Sequence, residues 1–76
     1  KDVSLKDVNW THGISTGPLQ CRIRYRQKLE NCVIEPDAKK MTVKFDAPQE
    51  AVSVGQSLVF YKGDECLGGG IIDKTL

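Results

Sequence analysis

Four cations stand close together between positions 20 and 28: Arg22, Arg24, Arg26 and Lys28, with no acid among them. Three are arginines at alternate positions. A guanidinium is planar, permanently charged and forked, and it matches phosphate oxygens and base edges and stacks on bases. Three of them on one face of a strand form a local anion-binding stripe, suited to RNA backbone or bases. The plain alternative is a solvated outer face whose arginines pair with acids of a neighbouring strand, where each pair contributes little stability.

The other reactive residue types are less organised. Cys21, Cys32 and Cys66 are odd in number and widely spaced, which fits neither a disulfide framework nor a CxxC zinc site. Each lies in an apolar, strand-like context, where a free cysteine behaves as a small core residue, so all three are expected inside. Free thiols also suit a reducing compartment. Cys66 follows Asp64 and Glu65, whose charges oppose thiolate formation, so it is a poor nucleophile. His12, the one histidine, falls in a loop and is expected to be solvated. The carboxylates show no metal or acid–base spacing. Gly68-Gly69-Gly70 is followed by Ile71-Ile72 rather than by a helix or a Lys-Ser/Thr pair, so it does not read as a phosphate loop. A glycine triplet inside a strand instead marks a place where the backbone must bend or pass close to a neighbour.

Stepping from these residues to what must hold them, 76 residues make one small domain with a modest core, and a deep catalytic cleft would be hard to build beside it. The net charge of +1 says little, because the acids simply lie away from the basic stretch. No apolar run approaches the ~20 residues of a membrane span, and no signal-peptide pattern is present. The first residue is Lys1 rather than Met, which leads us to expect a piece of a longer protein.

Six short strands are expected. The first spans Val3 to Trp10. Its apolar residues change parity between Val3/Leu5 and Val8/Trp10, which requires a bulge near Lys6-Asp7. A loop over Thr11 to Pro18 leads to Leu19–Lys28, where Cys21, Ile23 and Tyr25 face one way and the arginines the other. Cys32–Glu35 follows, ended by a turn at Pro36-Asp37-Ala38-Lys39. Met41, Val43 and Phe45 alternate in the next strand. After a connection closed by Gly55 come Leu58–Tyr61, a turn at Gly63, and Cys66–Ile72. No convincing amphipathic helix is present. The expected class is all-β, a small six-stranded antiparallel barrel spanning residues 1–76, since closure removes the edges that short strands would expose.

Several stretches together resemble a known family: Arg22-Ile23-Arg24-Tyr25-Arg26-Gln27, Val43-Lys44-Phe45-Asp46-Ala47-Pro48, Gly55-Gln56-Ser57-Leu58-Val59-Phe60-Tyr61 and Gly63-Asp64-Glu65-Cys66-Leu67-Gly68-Gly69-Gly70-Ile71-Ile72. With Val8-Asn9-Trp10 upstream, they are similar to the C-terminal domain of tRNA-specific 2-thiouridylases, the MnmA/TrmU family. The combination covers nearly the whole chain, and no single piece would be specific.

The resemblance implies a β-barrel similar to domain 2 of elongation factor Tu, carried by an enzyme that adenylates the wobble uridine of tRNA at C2 and replaces the activated oxygen with a persulfide sulfur. It implies that ATP, Mg2+ and both catalytic cysteines belong to an N-terminal domain, so that Cys21, Cys32 and Cys66 are not catalytic and this domain carries no cofactor of its own. Partners would be tRNA of the Lys, Glu and Gln types and a persulfide donor protein, not DNA or membrane. The location would be cytoplasmic, or the mitochondrial matrix for an organelle homologue. In the family the Arg-Tyr pair of RYRQ and the Gln of GQS contact tRNA, which maps onto Arg24, Tyr25 and Gln56. Arg22 and Arg26 join them as the rest of the basic row. The alternative is a barrel that only positions neighbouring domains.

Overall fold

A computed structural model describes residues 2–13, 17–23, 28–36, 40–47, 49 and 52–76. Among them are six strands: β1 (Val3–Trp10), β2 (Gly17–Arg22), β3 (Glu30–Pro36), β4 (Met41–Phe45), β5 (Ser57–Lys62) and β6 (Glu65–Thr75). All pairings are antiparallel, and the order β1-β4-β3-β2-β5-β6 closes on itself because β6 also pairs with β1. The expected six-stranded antiparallel barrel is therefore what forms. The number and order of the strands match the sequence expectations, but their bounds differ: β2 runs Gly17–Arg22 rather than Leu19–Lys28, with Ile23 a bend after its end and Lys28 outside any strand, β3 starts at Glu30, and β6 runs on to Thr75. Arg24, Tyr25 and Arg26, expected in the second strand, lie outside the described residues, as does the expected turn at Asp37-Ala38-Lys39.

The interior is filled by the inward set of each strand. Val3, Leu5, Cys21, Cys32, Val43, Leu58, Phe60 and Ile72 are all essentially inaccessible to solvent. Trp10 covers one side of this core, its ring stacked on Phe60 with centroids 5.3 Å apart.

Three register shifts shape the closure, one of them between Ser4 and Leu5 of β1 against β6. In β1 the register against β6 shifts between Lys6 and Asn9, and Asp7 takes φ 52°. This is the bulge that the parity change required. The Asn9 amide nitrogen donates to the Asp7 carbonyl at 3.2 Å across it. In β6 the register against β5 shifts at Phe60/Tyr61, so that Phe60 stands opposite Gly68 and Tyr61 opposite Cys66.

The glycine triplet lies where β6 passes close to the backbone of its neighbours. A Cβ on Gly68 would lie 2.0 Å from the Asn9 carbonyl oxygen of β1, and one on Gly69 would lie 2.5 Å from the Leu58 carbonyl oxygen of β5. Both obstacles are backbone and cannot swing aside. The close passage inferred from the triplet is thus present on both sides of β6.

The cysteines divide. Cys21 and Cys32 are core residues as expected, but Cys66 is exposed, against expectation. The β6 bulge explains the difference. It places an additional residue, Leu67, between Cys66 and Gly68; Leu67 is buried, and Cys66 is turned out beside Tyr61.

Candidate nucleic-acid interface

Of the five residues expected to meet RNA, Arg22 and Gln56 fall among the described residues, whereas Arg24, Tyr25 and Arg26 do not. Arg22 is the last residue of β2 and is paired with Val59 of β5. Its neighbour Cys21 points into the core, so alternation sends Arg22 outward. Its Nη2 donates to the Tyr61 hydroxyl at 3.0 Å, and its guanidinium carbon lies 4.9 Å from the centre of the Tyr61 ring. This cation–π seat holds the guanidinium against an aromatic surface.

Gln56 immediately precedes β5. Its backbone carbonyl accepts from the Ile72 N–H at 2.8 Å, and the preceding Gly55 N–H donates to the Ile72 carbonyl at 2.9 Å, which ties this turn to β6. The side chain folds back over its own turn, where Oε1 accepts from the Ser53 N–H at 2.8 Å. That bond sets the amide's orientation. With its oxygen committed, the group Gln56 offers to a ligand is the Nε2 donor, suited to a phosphate, ribose or base oxygen. Because β2 and β5 are antiparallel, β2 runs toward the end of the barrel at which β5 begins. Arg22 and Gln56 thus share that end, separated along the ladder by roughly 10 Å.

A feature that the sequence reading passed over lies beside Arg22. Asn31 stands opposite Gln20, and Gln20 opposite Tyr61. Leu19, Cys21, Cys32 and Phe60 are buried, so this lateral row lies on the outer face. The signal was in the sequence, since the alternation that buries Leu58 and Phe60 sends Val59 and Tyr61 outward.

Three acids elsewhere on the barrel are paired. Glu35 pairs with Lys44 at 3.2 Å, Asp73 with Lys40 at 3.7 Å and Glu65 with His12 at 3.9 Å. His12 is accordingly an exposed residue beside an acid. Among the described residues, no group of three His, Cys, Asp or Glu side chains is placed to hold a metal ion. The Cys21 thiol is pushed well above the usual cysteine range by the hydrogen bond it shares with Cys32 and by burial, which leaves it a neutral core group.

The fold defines the class: a small, closed, all-β antiparallel barrel domain. The chain belongs to the aminomethyltransferase β-barrel domain family, whose sequence profile it matches over residues 1–72. It is similar to the tRNA-specific 2-thiouridylase MnmA of Pseudomonas aeruginosa (strain LESB58), with 53% identity over 57 residues, covering 75% of this chain and 15% of that protein. Against the enzyme of the same name from Geobacillus thermodenitrificans (strain NG80-2) identity is 49% over 73 residues, covering 91% and 20%. Against that from Levilactobacillus brevis (strain ATCC 367) it is 42% over 78 residues, covering 96% and 21%. The resemblance read from the sequence motifs is thereby borne out. The chain spans only about a fifth, or less, of the length of these relatives.

Proposed function

We propose that this barrel is the C-terminal, tRNA-gripping domain of an ATP-dependent tRNA 2-thiouridylase that makes 2-thiouridine at the wobble position. The observation that carries this reading is the placement of Arg22, at the end of β2, and Gln56, just before β5, at one end of the barrel. The names of the relatives supply the chemistry, since they are tRNA-specific 2-thiouridylases. In this reading Arg22, Arg24 and Arg26 neutralise phosphates, Tyr25 lies against a base or ribose, and Gln56 donates through Nε2. ATP, Mg2+ and the sulfur-transfer cysteines would belong to a separate N-terminal domain, with a persulfide protein as donor and tRNAs of the Lys, Glu and Gln types as substrates. A cytoplasmic or mitochondrial-matrix location goes with that role.

The geometry of Gln56 provides the test. Gln56→Glu keeps an acceptor for the Ser53 N–H but replaces the amide donor with negative charge. In the full-length enzyme it should weaken tRNA binding while leaving the unfolding midpoint nearly unchanged. Arg24→Ala should weaken binding and make the dependence of log K on log salt shallower by about one unit. Unchanged tRNA affinity in both variants, in a titration at fixed salt, would favour a barrel that only positions its neighbours.

A further inference from the structure

The outer-face row next to Arg22 borders a groove of about 380 Å3. It is lined by Gln20, Asn31 and Tyr61 together with Val33, Asp46 and Lys62. Asp46 is held beside Asn31 by its backbone N–H, which donates to the Asn31 carbonyl at 3.1 Å. Adjacent strands are about 4.8 Å apart, so Asn31, Gln20 and Tyr61 together span roughly 10 Å, close to the width of one nucleobase with its sugar. Tyr61 is also a pre-set ring, because Arg22 bonds its hydroxyl and lies over it.

We propose that the Asn31–Gln20–Tyr61 row and its groove form a site for a single unpaired nucleobase of RNA. The base stacks on Tyr61, and the Gln20 and Asn31 amides meet its hydrogen-bonding edge. An amide carries both donors and an acceptor, so two of them beside an aromatic ring suit the mixed edge of a base better than they suit a phosphate. Lys62, also lining the groove, lies on the same strand as Tyr61 and provides charge for the adjoining backbone. Aromatic rings on small barrels and sheets gain affinity in this way from unstacked bases. The site rests on the tRNA reading above and continues the surface of Arg22 along β2.

The test titrates a tRNA transcript into the full-length enzyme and maps photo-cross-links from 4-thiouridine incorporated in that transcript. Tyr61→Leu should raise Kd about tenfold or more, because it removes the stacking surface. Tyr61→Phe keeps the ring and should bind within about twofold of the parent. Cross-links should fall on the β2 and β5 peptides carrying Gln20 and Tyr61. Trp10 emission monitors the fold of each variant, since Trp10 packs against the core on Phe60. A folded Tyr61→Leu with unchanged Kd, or an equal loss in Tyr61→Phe, would overturn the nucleobase site. The tRNA reading would still stand if Arg24→Ala and Gln56→Glu weakened binding, and would fall with it if they did not. Saturable binding of uridine monophosphate alone, lost in Tyr61→Leu, would replace RNA with a free nucleotide as the occupant.

Discussion

Gly69 shows how a single residue can matter for what it lacks. The Leu58 carbonyl oxygen lies 2.5 Å from where its Cβ would be. Gly69→Ala should therefore force β5 and β6 apart and cost about 1–3 kcal/mol or more, read as a lowered midpoint in urea. Phe60 is the opposite case, a ring that is fully buried and stacked on Trp10. Phe60→Ala should cost about 3–5 kcal/mol, which in a domain this small approaches its whole stability. Cys66 carries a third expectation. With Cys21 and Cys32 buried and Cys66 exposed, one thiol should react promptly with a disulfide reagent in the folded chain, and three in denaturant. Prompt reaction of Cys21 would contradict the core assignment.

The strands carry their information in parity. In β1 the apolar residues switch between odd and even positions, and the switch occurs at a bulge where Asp7 has φ 52°. Aspartate tolerates this left-handed conformation better than most residues, yet glycine adopts it without strain. Asp7→Gly should therefore be neutral or slightly stabilising, while Asp7→Val should destabilise by about 1–2 kcal/mol, with denaturation midpoints deciding. The β6 bulge was not legible in the same way. A parity change is visible only when apolar residues lie on both sides of it, and here glycines fill the middle of the strand. Cys66 therefore reads as an inward residue until the partner strand is known. The same limit hid the RNA-facing role proposed for Tyr61. Its outward direction follows from alternation, but its neighbours Gln20 and Asn31 come from two other strands.

At the scale of the whole molecule, closure is the governing fact. β6 pairs with both β5 and β1, so the sheet has no free edge. Amides of all six strands should then exchange with deuterium mainly through global opening, with no strand exchanging early as a frayed edge would. Early exchange of β1 alone would argue against the closed seam.

The class, the number and order of the strands, and the family were legible in the residues alone. Those follow from local alternation, turn chemistry and the combined motifs RYRQ, GQSLVFY and GDECLGGGII. The sequence also determined that the glycine triplet is scaffold, since no helix follows to make it a phosphate loop. The tertiary structure alone decided which residues lie side by side. Arg22 rests on Tyr61, Gln56 is turned by Ser53, Cys66 faces out, and Asn31, Gln20 and Tyr61 form one row. Register causes the division. Each strand announces its own faces, but which residues oppose one another depends on bulges and on the order in which the strands close, and both are properties of the assembled barrel.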